Sequence, residues 1–280
     1  PGFNLTCQIA ATPGDGVLIQ TPIYYPILYA PPEADLTNDE MELTQRPDGS
    51  YEIDFDLMEE TITAKTRIFI LCNPHNPVGR VFRRDELETI AEICLREDIL
   101  ICSDEIHCDL LLDDNVHVPI ASLSPEVSTR TVTLMAPSKT YNIAGLKCSV
   151  AIIQDEELRR GFCETYSGLM PSVNVLGYTA ALAAYRDGGA WLEAALGYME
   201  KNRDIVRDFV AQEVQRTARD LLFYLRPRPV VLEPFDAGVR VAGPPRCGER
   251  DADEHRPDGL TGQAALRARD ARRRPAPRRA

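Results

Sequence analysis

Between residues 17 and 210, short apolar runs alternate with stretches of helical periodicity. The apolar runs are bounded by Gly, Pro, Asn or Asp, as expected for strands that are buried on both faces of a sheet. They predict strands at Val17–Gln20, Arg67–Cys72, Ile99–Ser103, Thr131–Met135 and Cys148–Ile153. Alternation of this kind predicts an α/β fold, in which helices on both faces sandwich a mostly parallel sheet.

Three stretches predict helices between or after these strands. The first follows Asp85 and Glu86, which the helix dipole favours in a first turn. Its apolar residues recur at helical spacing, namely Leu87, Ile90, Ala91, Cys94 and Leu95. A second helix is expected to begin at Asp155. A longer one follows Gly188, with an apolar stripe of Trp191, Ala195, Tyr198, Met199, Ile205, Val206 and Phe209.

Three polar clusters each follow an apolar strand directly. They are NPHNPVG at residues 73–79, DEIH at residues 104–107 and APSKTYNIAGLK at residues 136–147. In a parallel sheet the carboxyl ends of strands meet at one edge, where α/β folds bind ligands. An aspartate there can pair with a cationic ring nitrogen, and a partly desolvated lysine there suits Schiff-base chemistry. Lys139 is such a lysine, in a chain that has only four lysines.

Each cluster has a simpler explanation when it is taken separately. Asn, Pro and Gly build turns, so residues 73–79 could be only a loop. Asp104 could cap a helix, His107 could be a half-buried structural histidine, and Lys139 could be a surface lysine. The DEIHCD run also resembles part of a metal site, but no second cluster of ligands accompanies it, so no metal is expected.

In this order and spacing, the three clusters resemble those of fold-type I pyridoxal-phosphate enzymes, the aminotransferase class I and II group. Within that group they are most similar to the MalY/PatB type of cystathionine β-lyases and cysteine-S-conjugate β-lyases. The resemblance runs from Pro1 to about Val210. It implies a large domain like that of aspartate aminotransferase and pyridoxal 5'-phosphate as the cofactor.

The resemblance implies a role for seven residues. Lys139 would be the catalytic residue bound to the cofactor aldehyde, Asp104 would pair with the pyridine nitrogen, and Asn76 would donate to the ring hydroxyl. The other cofactor-binding positions are His107 near that hydroxyl, Tyr24 stacked on the ring with Tyr25 as the alternative, and Ser138 and Lys147 at the phosphate.

The same resemblance divides the chain into three parts. Residues 1–187 would form the cofactor-binding large domain, lacking its first segment with the Gly-rich phosphate loop. Residues 188–212 would form a long helix leading to a small domain that is not recognisable. Residues 213–280 hold 15 Arg and no Lys, and are rich in Pro. A shifted reading frame, a disordered tail and a basic nucleic-acid-binding arm are the three interpretations of this segment.

Composition limits the partners and the compartment. Residues 1–212 carry a net charge of −17 and residues 213–280 a net charge of +5, which together give −12, and the acidic body argues against nucleic acid as the main partner. No window of the sequence is apolar enough to span a membrane. Eight cysteines without a C-x-x-C pair are typical of buried free thiols in the cytoplasm, with a disulfide framework as the alternative.

The resemblance implies a C–S β-lyase that converts cystathionine or a cysteine S-conjugate into a thiol, pyruvate and ammonia. Two alternatives remain at this point: an aminotransferase acting on a small amino acid, and a catalytically defective fragment. The complete enzyme would act on a small amino-acid substrate as a homodimer. A chain without its phosphate loop and small domain is expected to be a poor catalyst.

Overall fold

The computed structural model describes residues 1–169 and 171–225 of the 280-residue chain. Its helices are α1 (Gly2–Ala10), α2 (Tyr25–Tyr29), α3 (Phe55–Thr61), α4 (Arg84–Arg96), α5 (Pro125–Thr129), α6 (Pro137–Thr140), α7 (Glu156–Leu169), α8 (Val175–Asp187) and α9 (Gly189–Leu225). Its strands are β1 (Gly16–Thr21), β2 (Thr37–Glu42), β3 (Thr44–Gln45), β4 (Tyr51–Glu52), β5 (Thr66–Cys72), β6 (Leu100–Asp104), β7 (Thr131–Met135) and β8 (Val150–Ile153).

Six of these strands form one sheet in the order β2-β1-β5-β6-β7-β8. Every neighbouring pair is parallel except β7 and β8, which are antiparallel. The remaining two strands, β3 and β4, form a small antiparallel hairpin. The predicted mostly parallel sheet is therefore confirmed, and all five predicted strands lie in it.

Alternate residues of the central strands point to opposite faces of the sheet, and each face has its own core. On one face, Leu18, Phe69 and Ile101 pack with the apolar side of α4. On the other face, Ile19 and Ile70 pack with residues of α1 and α2. Because both faces are covered, these strands consist almost entirely of apolar residues, which is why they were recognisable in the sequence.

Helix α4 confirms the first predicted helix. Leu87, Ile90, Ala91 and Cys94 are buried, and Leu95 packs partly buried against the same core. At its first turn the Glu86 carboxylate accepts a hydrogen bond from the backbone N–H of Arg83 (2.9 Å) and pairs with Arg80. These contacts use amide hydrogens that a helix start leaves without intrahelical partners.

The carboxyl-terminal part of the described chain departs from the predicted boundaries. By their contacts the residues divide into a unit Pro1–Leu222 and a second unit from Phe223, of which the structure describes only residues 223–225, in α9. The long helix continues past residue 212 to Leu225, the last residue that the structure describes, because residues 213–225 contain neither Gly nor Pro to stop it. The rest of the predicted Arg/Pro-rich tail lies outside the described residues.

Several of the large apolar side chains of α8 and α9 are exposed, including Trp191, Tyr198, Val206 and Phe209 of the predicted stripe. Cysteines 7, 72, 94, 102 and 108 are buried, whereas Cys163 is exposed. No helix within residues 1–169 and 171–225 is long and apolar enough to cross a membrane.

Candidate functional site

The carboxyl ends of β1, β5, β6 and β7 open into a cavity of about 500 Å³. Five of the seven predicted site residues line it: Tyr24, Asn76, Asp104, His107 and Lys139. The register explains this meeting, because Cys72 at the end of β5 is paired with Asp104, and Asp104 is paired with Leu134 near the end of β7. The parallel sheet thus brings together side chains that lie up to 115 positions apart in the chain.

The two Asn-Pro pairs that follow β5 have different roles. Asn73 is buried, its backbone N–H donates to the carbonyl of Asp104 (3.0 Å), and its Oδ1 accepts from the backbone N–H of Phe82 (3.0 Å). Asn73 therefore closes the loop and holds the ends of β5 and β6 together. Asn76 lines the cavity, so its side-chain amide is available to a ligand.

The sequence did not single out His75, which joins two walls of the cavity. Its Nε2 lies 2.9 Å from the carbonyl oxygen of Pro22, two residues before Tyr24. Burial lowers the pKa of His75, so the ring is neutral at pH 7 and Nε2 donates to that carbonyl. The imidazole fixes the Tyr24 loop beside the Asn76 loop. The one sequence feature that could have pointed to His75 is its position between the two Asn-Pro pairs.

Asp104 is the acidic group that β6 brings to the cavity, whose lining also includes Glu33. Its Oδ1 accepts a hydrogen bond from the backbone N–H of Ile106 (3.2 Å). Burial raises the pKa of Asp104, as does the neighbouring charge of Glu105, while the positive charge of Lys139 acts in the opposite direction. A buried carboxylate is costly unless a cation or several donors face it. The position therefore favours a ligand with a protonated nitrogen.

A second buried carboxylate, Glu105, lies next in the chain. It accepts hydrogen bonds from Ser103 Oγ (2.8 Å) and from Nε2 of His117 (2.9 Å). The side chains of Glu105 and His117 are only 1% and 7% exposed. Glu105 is thus satisfied within the protein, so of these two neighbouring carboxylates only Asp104 is available at the cavity. His117 also escaped the sequence analysis, since it lies twelve residues from its partner.

His107 and Lys139 line the cavity from two different segments, the loop after β6 and helix α6. Burial lowers the pKa of His107, and the positive charge of Lys139 lowers it further. His107 is therefore neutral at pH 7 and can take part in one hydrogen bond as donor and another as acceptor. Lys139 belongs to α6, directly after β7, and its side chain is exposed to the cavity.

Two predicted residues are not among those that line the cavity. Ser138 precedes Lys139 in α6, and Lys147 is exposed, with a left-handed backbone (φ 50°) after a short 3-10 turn. Their roles at a phosphate stay predictions. Residues that the sequence did not suggest complete the lining: Pro1, Phe3, Asn4, Pro26, Tyr29, Glu33, Cys72 and Ile106. In the described residues, no three His, Cys, Asp or Glu side chains converge in a way that could hold a metal ion.

Comparison with known proteins places this geometry in a family. The family model described as aminotransferase class I and II matches residues 3–225. Cystathionine beta-lyase PatB of Bacillus subtilis is 38% identical over 221 residues, which are 76% of this chain and 56% of PatB. Protein MalY of Escherichia coli is 31% identical over 198 residues, 70% of this chain and 50% of MalY.

Solved structures agree with this. Cystalysin from Treponema denticola, whose crystal structure contains a pyridoxal 5'-phosphate cofactor, has a TM-score of 0.71 and 38% identity over 74% of this chain and 52% of its own. A pyridoxal-phosphate-bound C–S lyase from Staphylococcus hominis has a TM-score of 0.70 and 34% identity over 76% of this chain and 53% of its own. The chain spans about half the length of these relatives. It belongs to the aminotransferase class I and II family.

Proposed function

We propose that this chain carries the cofactor site of a pyridoxal-phosphate-dependent C–S β-lyase, which releases a thiol, pyruvate and ammonia from cystathionine or a cysteine S-conjugate. The observation that carries the proposal is the meeting of Lys139, Asp104, Asn76, His107 and Tyr24 in one cavity. Relatives named cystathionine beta-lyase and a C–S lyase of known structure support the lyase class.

The residues of the cavity fit pyridoxal phosphate. A primary amine at Lys139 can react with an aldehyde, and Asp104 offers a partly buried carboxylate that a protonated pyridine would neutralise. Asn76 supplies an amide for a ring hydroxyl, and Tyr24 an aromatic face that a flat ring can stack upon. Ser138 and Lys147 are proposed for the phosphate, where Lys147 would add a cation with a single-point geometry.

Bound pyridoxal phosphate supplies an electron sink that stabilises negative charge at the substrate Cα. Lys139 Nζ would hold the cofactor through its aldehyde, and once substrate is bound it would remove the proton from the substrate Cα. Asp104 would keep the pyridine nitrogen protonated, which this electron sink requires. His107 is neutral, so it can share a hydrogen bond at the ring hydroxyl without adding a second positive charge beside Lys139.

An aminotransferase would use the same five residues, so the choice between the two reactions comes from the relatives and not from the cavity. A lyase would release a thiolate from the substrate Cβ. An aminotransferase would instead pass the substrate amino group to a keto acid. We further propose a cytoplasmic location, supported by the buried thiols, and a homodimer when complete, which rests on the resemblance.

The protein incubated with pyridoxal phosphate and L-cystathionine is expected to release pyruvate in proportion to time, with no added keto acid. Lys139→Ala should abolish this release, because the amine that holds the cofactor and moves the Cα proton is gone. Lys65→Ala, which removes an exposed lysine outside the cavity, is the matched control and should retain the unaltered rate.

A coupled assay of pyruvate and an amino-acid analysis of the products measure the two reactions side by side. Transfer of the amino group to added 2-oxoglutarate, without pyruvate from cystathionine, would assign the aminotransferase. Pyruvate release by Lys139→Ala at the unaltered rate would contradict the proposed site.

A further inference from the structure

Two segments carry the reactive groups of the cavity. Asp104 is the last residue of β6 and His107 lies in the loop that follows, whereas Lys139 belongs to α6 after β7. The segment with Asp104 and His107 would hold the cofactor ring, and the segment with Lys139 carries the amine. The distance between the two therefore depends on how firmly the segments are joined. A displacement of about 1 Å can cost about 10²-fold in an enzyme rate.

A partly buried hydrogen bond joins the two segments next to the lysine. Thr140 Oγ1 donates to Oδ2 of Asp109 (3.2 Å), five residues after Asp104. Thr140 is 2% exposed, and Asp109 is half-buried. Water has little access to the Thr140 hydroxyl. A water molecule could therefore not replace Asp109 as its hydrogen-bond partner.

Helix α6 needs such support, since it is only four residues long and its N-cap, Ala136, has no side chain that could accept a hydrogen bond. On its other side Tyr141 packs edge-on against Tyr185 (5.9 Å between ring centroids) and lies 6.1 Å from Trp191. Gly188 makes room for this ring, because a Cβ at that position would lie 2.5 Å from Tyr141 Cε1.

We propose that Asp109 and Thr140 are positioning residues, which set the reach of Lys139 toward the aldehyde of the cofactor. The inference rests on the proposed function, because it takes pyridoxal phosphate as the ligand. Thr140 anchors the helix to the segment that carries Asp104, and Tyr141 anchors it to the junction of α8 and α9. Lys139 directly precedes these two anchoring residues in the chain, so its position depends on both.

Thr140→Val and Thr140→Ser test this directly. Valine keeps the shape of threonine and removes the hydroxyl, whereas serine keeps the hydroxyl and removes a methyl group. With the protein and pyridoxal phosphate, the rate at which the covalent adduct on Lys139 forms is followed by absorbance. Valine is expected to slow it at least about 10-fold and to shift the pH at which the adduct loses its proton, while serine stays within about 2-fold of the unaltered protein.

Amide hydrogen exchange of residues 137–141 in the cofactor-free protein separates this inference from the proposed function. Valine should speed exchange there at least about 5-fold, and serine should not. Faster exchange in Thr140→Val, together with no adduct in the unaltered protein, would support the positioning role of Thr140. The same result would contradict the proposed function. Unchanged exchange and an unchanged adduct rate in Thr140→Val, or serine behaving like valine in both, would overturn the inference.

Discussion

Asp104→Asn is expected to lower turnover of cystathionine at least about 10²-fold, equivalent to about 2.7 kcal/mol of transition-state stabilisation. Asparagine keeps an oxygen for the N–H of Ile106 and nearly the same volume, but it carries no charge to hold a proton on the pyridine nitrogen. Without that proton the ring is a weaker electron sink. The fold itself should tolerate the change, because burial already disfavours a charge at this position.

The matched control is Asp113→Asn. Asp113 lies in the same connection after β6 and pairs with Arg203 at the surface, 63% exposed and outside the cavity. Such a pair is worth at most about 1 kcal/mol, so turnover should stay within a few-fold. Steady-state rates of pyruvate release measure both variants. Asp104→Asn at the rate of Asp113→Asn would exclude the proposed role of Asp104.

His117→Ala is expected to destabilise the protein by about 3 kcal/mol, because it leaves one oxygen of the buried Glu105 carboxylate without its hydrogen-bond donor. That loss is a large part of the about 5–15 kcal/mol that holds a typical domain folded. Ser103 would still donate to Glu105, but one neutral donor does not offset a buried charge. Urea unfolding followed by circular dichroism measures the change.

A double variant separates the cost of the lost hydrogen bond from the cost of the lost packing of the imidazole ring. The double variant Glu105→Gln/His117→Ala carries no charge there and should recover part of the loss at pH 7. Equal losses in the single and double variants at pH 7 would show that packing, and not the buried charge, sets the cost.

The sheet could be predicted because its central strands are buried on both faces and therefore apolar. Strand β2, with the sequence TNDEME, was missed because it lies at the edge of the sheet and buries only Met41. Helix α1 was missed because it has no capping side chain and no acidic residue in its first turn, so packing of Leu5 and Cys7 determines it. The antiparallel direction of β8 depends on the length of the connection before it. The apolar pattern of a strand does not indicate that direction.

Site residues could be predicted from the sequence only where they lie at or just after the carboxyl end of a strand. Asp104 and Lys139 follow their strands directly, and the parallel arrangement then forces them together. The supporting contacts join residues that are distant in sequence, such as His75 with Pro22 and Thr140 with Asp109. No spacing rule predicts such contacts, because they depend on how the loops fold over the sheet edge.

The central claim is that Lys139 is the amine that binds the cofactor aldehyde, and borohydride reduction followed by peptide mapping tests it most directly. The protein is incubated with pyridoxal phosphate, reduced, digested and analysed by mass spectrometry. The account predicts that the reduced adduct lies on Lys139, the lysine that lines the cavity, and that Lys139→Ala carries almost none. An adduct found chiefly on the exposed Lys65, Lys147 or Lys201 would contradict it.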